Sequence, residues 1–376
     1  MSLPFSRPAS SLRFRQSAAR TPVSALRWTW PRAQTRTMSM ATPTIDRDGL
    51  GRALAFSNIK GGVGKTFATA QCAGLLASVP DYRVLAVDLD IQGNLDEDFG
   101  LGDRSDGGQG LLQAVMTGTA PQPLMDVRPG LDVICGGEYL ADLADVIDAQ
   151  AKRQRDPNRA YNALATCLSP LAADYDWLLF DCPPGNETLL QMALGAARWV
   201  VIPTRTDDSS RKGLRKVARR FVEARAVRGP EAPLDLLGIF LSAVNSSAKT
   251  LRREARDAII GDLGPAGEQL MLNTVIRYAE SSASGARNRG LLVHELEQQV
   301  ATAEPWWQAA REGRPVVSQP GAASAAGLAS DFQSLVQELL ARISAAESTD
   351  GAAHSQEVND DVDAYVQAAL RQDASA

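Results

Sequence analysis

Histidine is nearly missing: His294 and His354 are the only two in 376 residues. That scarcity argues against imidazole acid–base catalysis and against histidine-held metals. Cysteine is also sparse. Cys72, Cys135, Cys167 and Cys182 are scattered, with no C-x-x-C pair. Neither a disulfide frame nor a zinc site is indicated, and the four read as small buried residues of a reducing compartment. No run of apolar residues approaches the roughly eighteen needed to span a membrane. Acidic residues are missing altogether before Asp46, while Arg7, Arg13, Arg15, Arg20, Arg27, Arg32 and Arg36 all fall in that stretch.

This leader is rich in Ser, Ala and Pro and has no hydrophobic periodicity, so disorder is expected over residues 1–48. Three readings compete. Its composition fits an organelle transit peptide. A basic arm would add phosphate contacts on DNA. A start codon placed too far upstream would make Met38 or Met40 the true beginning, and this is favoured because Met40 leaves a short polar leader before the first strand. The rest is ordinary for a globular protein, with 44% hydrophobic and 22% charged residues and a net charge of −5. The length suffices for one large α/β domain with appended segments.

The most informative stretch is Lys60 to Thr66, KGGVGKT, lying between the apolar run Leu54-Ala55-Phe56 and a helix-prone run from Phe67. Strand, glycine-rich turn and helix is the context of a phosphate-binding loop, in which backbone N–H groups and a helix N-terminus converge on one anion. Gly61, Gly62 and Gly64 let the main chain approach phosphate oxygens without a Cβ in the way. Val63 completes the turn. Lys65 supplies a cation to the β/γ-phosphates and Thr66 a hydroxyl for Mg²⁺. The general pattern G-x-x-x-x-G-K-[ST] asks for Gly at position 59, where this chain has Ile59.

Downstream, three strands end in informative residues. Arg83 to Val87 is a continuous apolar strand, typical of a parallel sheet covered on both faces. It ends in Asp88-Leu89-Asp90, followed by Ile91-Gln92-Gly93-Asn94. Strand-end carboxylates face the same edge as the phosphate loop, and alternation points Asp88 and Asp90 the same way. Trp177 to Asp181 is a Walker B pattern, in which Asp181 holds a water on Mg²⁺. Cys182-Pro183-Pro184-Gly185 follows it. Further strands are predicted at Leu131–Ile134, Arg198–Ile202, Leu236–Val244 and Leu270–Ile276. Helices are predicted over Phe67–Ser78, Gly107–Gly118, Glu138–Ala173 (broken near Pro157) and Asp331–Ile343. The predicted fold is α/β, with a doubly wound, mostly parallel sheet of the P-loop NTPase type, as one domain over 49–346. Residues 347–376 read as an acidic tail with a short amphipathic segment, Val362–Leu370. The tail is either frayed or a docking element for a partner or for the chain's own basic face. Trp306-Trp307 reads as part of a Pro- and Gly-punctuated surface connection.

The extra lysine, Lys60, makes the loop resemble the deviant Walker A motif of the ParA/MinD superfamily of ATPases. Asp88 to Asn94 is similar to that family's D-x-D-P-Q-G-N, with Ile91 replacing proline, and Asp181 to Pro184 is similar to its D-x-P-P switch. The resemblance covers roughly residues 50 to 300. It implies ATP and Mg²⁺ as cofactors and slow, Mg-dependent ATP hydrolysis. By the match, Lys60, Lys65 and Asp90 are catalytic, with Asp90 positioning the hydrolytic water. Thr66, Asp88 and Asp181 lie near Mg²⁺, and Asn245 contacts adenine. The nucleotide-binding set is Lys60, Gly61, Gly62, Val63, Gly64, Lys65, Thr66, Phe67 and Asn245.

A helix is predicted from Asp207 to Arg228, capped by Asp207, Asp208 or Ser209 and stopped by Gly229-Pro230. It carries Arg211, Arg215 and Arg219 on one stripe and Lys212, Lys216 and Arg220 on the adjoining one. This half-face holds no acid before Glu223, and a merely solvated face is the plainer alternative. Lys249, Arg252, Arg253 and Arg256 form a second cluster, and Arg277, Arg287 and Arg289 a third. No aromatics are interleaved for base stacking, so sequence-independent phosphate contact is the better reading. The resemblance then implies a partition ATPase whose ATP-dependent sandwich dimer binds non-specific DNA. A ParB-like centromere-binding protein would stimulate hydrolysis and release it, in a cytoplasmic, nucleoid-associated setting. The alternative is an ATP-gated DNA-binding regulator or positioning scaffold with negligible turnover. A MinD-like membrane relative should end in a basic amphipathic helix, an Fe–S carrier relative needs cluster cysteines, and a tyrosine-kinase relative a C-terminal tyrosine cluster. The acidic tail, the scattered cysteines and the single Tyr365 oppose all three.

Overall fold

The computed structural model describes residues 45–156, 158–229, 231–302, 311–312, 322–348, 354–364 and 366. The leader up to residue 44 and the Trp306-Trp307 stretch lie outside the described residues, as do the side chains of Arg211 and Lys212. Eight strands form one sheet: β1 (Ala53–Phe56), β2 (Val84–Asp88), β3 (Leu124–Arg128), β4 (Leu131–Ile134), β5 (Trp177–Asp181), β6 (Trp199–Thr204), β7 (Asp235–Val244) and β8 (Met271–Arg277). Their order is β3-β4-β2-β5-β1-β6-β7-β8, parallel throughout except for the β3–β4 pair.

The continuous apolar runs explain this sheet. Successive side chains of a strand point to opposite faces, so each run feeds two cores. Ala53 and Ala55 of β1 join one hydrophobic cluster, and Leu54 and Phe56 join the other. Helices α1 (Lys65–Ala77) and α2 (Asn94–Phe99) cover the second face. The first is covered by α3 (Gln109–Thr117), α4 (Tyr139–Gln154), α5 (Arg159–Ala172), α6 (Glu187–Ala196), α7 (Asp208–Arg228), α8 (Lys249–Leu263) and α9 (Ala266–Leu270). The second face is completed by α10 (Glu280–Arg287), α11 (Val293–Thr302) and α12 (Ala322–Ala346). Because α1 carries the chain outward to β2 while α6 carries it from β5 across β1 to β6, the strand order reverses at β1. Ligand crevices form outside the carboxyl ends of strands at such a point.

Three departures from the sequence reading have physical reasons. The last helix of the body starts at Ala322 rather than Asp331, because its first turns bury small residues such as Ala325 and Ala329 that carry a weak hydropathy pattern. Strand β3 was not foreseen. It is half-exposed, and Asp126 sits at φ 53° where the β3–β4 register shifts. Finally, part of the acidic tail is packed. Residues 354–364 form a helix, and Val358, Val362 and Val366 belong to the same core cluster as Phe221 of α7. Asn359, buried, accepts the Leu236 N–H and donates to Asp235, and Arg225 of α7 pairs with Asp363 at 2.8 Å. Residues 367–370 of the expected amphipathic segment lie outside the described residues.

Candidate nucleotide site

The loop between β1 and α1 is shaped by its glycines. Gly62 (φ 71°) and Gly64 (φ 87°) are left-handed, a conformation that glycine adopts at little cost. A Cβ at Gly62 would meet nothing within 4 Å, so the space above it is not filled by protein. The loop is held from outside. Ser242 of β7 donates its hydroxyl to the Val63 carbonyl at 2.6 Å, and Asn58 accepts the Lys60 N–H while donating to Pro203 O. Lys65, 5% exposed, folds its ammonium back onto the Lys60 carbonyl at 3.2 Å. Burial lowers its pKa, against the charges of Asp181 and Asp90.

Lys60 points elsewhere. Its ammonium lies 2.6 Å from Asp207 Oδ1 and 3.0 Å from Ser210 Oγ. Asp207 is also the N-cap of α7, accepting the Ser210 N–H at 3.0 Å. The extra lysine of the loop and the start of the basic helix therefore share one carboxylate.

Asp88 and Asp181 are register partners on β2 and β5, yet they do different things. Both oxygens of Asp88 are engaged, by the backbone N–H of Asp90 at 2.7 Å and of Leu95 at 3.2 Å. Asp88 thus organises the loop that presents Asp90. Burial and the charge of Asp181 raise its pKa well above the carboxylate range. Asp181 is fully buried, and neither of its oxygens has a hydrogen-bond partner among the described residues. Burial pushes it up to about 7, against the pull of the neighbouring Thr66 hydroxyl and Lys65 charge. Buried carboxylates are as a rule paired or coordinate a metal. Asp90, 4% exposed, accepts the Gln92 N–H and, through its carbonyl, those of Gly93 and Gly137.

Beside the loop opens a cavity of about 370 Å³, walled by apolar side chains including Phe67 and Phe332, which meet edge to face at 5.4 Å. Its polar lining is Ser242, Arg205, Arg277, Tyr278 and Glu280. Asn245, just beyond β7, is exposed, and its carboxamide oxygen accepts from Ser247. Arg205 and Tyr278 escaped the sequence reading. The signal available was their place immediately after β6 and β8.

A family profile described as an AAA domain matches residues 51–228. The chromosome partitioning protein ParA of Myxococcus xanthus is 33% identical over 204 residues, covering 53% of this chain and 67% of that protein. This chain belongs to the ParA family of P-loop partition ATPases. Among solved structures, a Cyanothece McdA variant in complex with ATP superposes with a TM-score of 0.60 at 19% identity, covering 77% of this chain and 96% of that one. A pNOB8 ParA bound to nonspecific DNA gives 0.52 at 18% identity, covering 78% and 99%. At these identities the two structures support the fold.

The ParA-family chain carries its basic residues in two conditions. On α7, Arg215 pairs with Asp262 of α8, Arg219 with Glu223, and Arg220 with Glu187 of α6 and with Glu223. The acid-free half-face expected from the helical wheel thus receives carboxylates from its neighbours. Lys216 is exposed and makes no ion pair among the described residues. On α8, Lys249, Arg252 and Arg253 have no ion-pair partner among the described residues, and they line a groove of about 500 Å³ against β8. Arg256 is tied to Leu272 O and Glu268. In the third cluster Arg277 is bidentate on Asp331, and Arg287 pairs with buried Asp98 at 2.6 Å, so both hold the fold together. No helix of the described residues is long and apolar enough to cross a membrane.

Proposed function

We propose that this chain is a Mg-dependent ATPase of DNA partition whose ATP-bound form is a sandwich dimer on non-specific DNA. The observation that carries the reading is Lys60: a second lysine of the phosphate loop, turned away from its own cradle and held by the cap of the basic helix. The loop N–H groups and Lys65 would bind the phosphate chain, whose base enters the cavity beside Phe67. Thr66 and the unpartnered Asp181 fit a hard cation. The described residues contain no cluster of three or more acidic, His or Cys ligands, as suits Mg²⁺, which keeps waters and takes phosphate oxygens. When bound, Mg²⁺ would neutralise charge on the β- and γ-phosphates. Asp90, set in place by Asp88, would orient the attacking water. Lys60 would leave Asp207 and reach the nucleotide of a second subunit, closing the dimer and setting two basic surfaces side by side. That surface would include the α7 stripe of Arg211, Lys212, Arg215, Lys216, Arg219 and Arg220, and the unpaired Lys249, Arg252 and Arg253 of α8 support a contribution from that helix as well. A ParB-like partner would accelerate an otherwise weak turnover and release the dimer.

The test is binding to a random duplex with ATP, ADP and no nucleotide, repeated with Lys60→Ala. Binding that depends on ATP and on Lys60 supports the proposal, and equal binding in every state sinks it. Asp90→Ala should still bind DNA with ATP while hydrolysing it poorly. Failure of the wild type to hydrolyse ATP with any partner would favour a nucleotide-gated scaffold.

A further inference from the structure

We infer that Arg205 is a nucleotide-contacting residue, and that through it the occupancy of the pocket is passed to α7. The inference rests on the reading of the loop as a nucleotide site and goes beyond it by naming a residue outside the family's motifs. Two arginines line the cavity beside Gly62 and Gly64. Arg277 is committed to Asp331 by two hydrogen bonds. Arg205, half-buried, has neither a hydrogen-bonded nor an ionic partner among the described residues. A planar guanidinium with free donors suits a phosphate oxygen or the face of a base, and a nucleotide in this cavity offers both. Partial burial of an unpaired cation is unfavourable, and a bound anion relieves it.

The backbone on either side makes Arg205 more than a lining residue. The peptide before it is pinned, since Pro203 O accepts from Asn58 and Thr204 O from Ser242, the residue that also holds Val63 of the loop. Two positions after it stands Asp207, which caps α7 and holds Lys60. A pull on the Arg205 side chain is therefore transmitted through one intervening residue, Thr206, to the carboxylate that decides whether Lys60 is released. The pinned β6 end lets the far side move instead. Occupancy of the subunit's own pocket would in this way bias the lysine destined for the other subunit.

The experiment is calorimetric titration of the full chain with Mg-ATP and Mg-ADP, comparing wild type, Arg205→Ala, Arg205→Lys and Lys65→Ala. Hydrogen exchange of the first turns of α7 is followed with and without saturating ATP. Arg205→Ala should weaken both nucleotides about tenfold to hundredfold, the range for losing one hydrogen bond to a charged group. Arg205→Lys should recover part of the loss, and the melting temperature without nucleotide should not fall. At saturation, ATP should alter exchange in α7 of the wild type and leave Arg205→Ala unaltered. If Lys65→Ala loses ATP while Arg205→Ala binds it like the wild type, the inference falls and the site reading stands. If the wild type does not bind ATP, or Lys65→Ala binds it normally, the site reading itself falls. An α7 response that survives in Arg205→Ala overturns the transmission.

Discussion

Replacing Asp181 by Asn should make the metal-free, nucleotide-free protein more stable, although Asp181 is proposed to hold the cation. The magnitude follows from its surroundings. Its carboxyl titrates near 3.8 when unfolded and is pushed up to about 7 in the fold. Between those values the folded state binds more protons than the unfolded state, so stability falls as pH rises through this window. Above both, at about 1.4 kcal/mol per pH unit, the penalty reaches about 4 kcal/mol. Asn keeps the shape and carries no charge, so the variant escapes this penalty and also relieves Asp88, whose pKa the Asp181 charge helps to raise. The assay is urea unfolding in EDTA from pH 5 to 8.5, for wild type and Asp181→Asn. The difference between the two removes the titrating groups that do not interact with Asp181 and leaves Asp181 with its neighbour Asp88. The curves should approach each other at pH 5 and separate by up to about 4 kcal/mol at pH 8. Mg²⁺ with ATP should then stabilise the wild type and not the variant. A variant less stable than the wild type at pH 8 without Mg²⁺ would refute the reasoning, because Asp181 would then be satisfied by partners of its own.

Three further outcomes are expected. Asp207→Ala should cost about 1 kcal/mol in urea unfolding through the lost cap of α7, whereas Asp207→Asn should cost much less, because the ion pair with Lys60 is partly exposed and worth little by itself; equal losses would contradict the capping role. Arg252→Ala with Arg253→Ala should lower the slope of log affinity for DNA against log salt by about 2 per subunit, hence nearly 4 for the dimer, and Arg219→Ala with Arg220→Ala by less, since those arginines already hold carboxylates; the reverse ranking would return the DNA face to α7. A chain ending at Ser348 should lose about 4.5 kcal/mol of stability, from three buried valines at about 1.5 kcal/mol each, while keeping its ATP affinity; an unchanged unfolding midpoint would mean the tail helix does not pack in solution.

Much of the frame was legible because its signals are local. The apolar runs of β1, β2 and β5 are unbroken and end in the residues that matter, and α7 begins at an Asp cap and stops at Gly229 as its termini announce. What the sequence hides is which distant group answers each charge. The helical wheel shows α7 as a bare basic stripe, but Arg215 meets Asp262, and Arg220 meets Glu187, only because α6 and α8 pack against it. Arg287 looks like a surface cation until the fold brings it to Asp98, 189 positions away. Asp88 and Asp181 carry the same chemistry at the same edge. The difference arises because the turn after β2 folds its own amides back onto Asp88, while nothing comparable reaches Asp181.

The same principle locates the regulated part of the molecule. Charges that are answered within the chain, such as Arg277 with Asp331 and Arg287 with Asp98, fix the position of helices and have no reason to move. Among the charges with no ion-pair partner among the described residues, Asp181 is buried at the carboxyl end of β5 and Arg205 lines the cavity beside the phosphate loop. Lys60 is intermediate, answered by a carboxylate that is itself nearly half exposed and shared with a helix cap. An ion pair of that kind costs little to break. On the proposed reading, a nucleotide bound with its cation would draw Lys60 away as well, and the first element to feel its departure would be α7, which Asp207 caps.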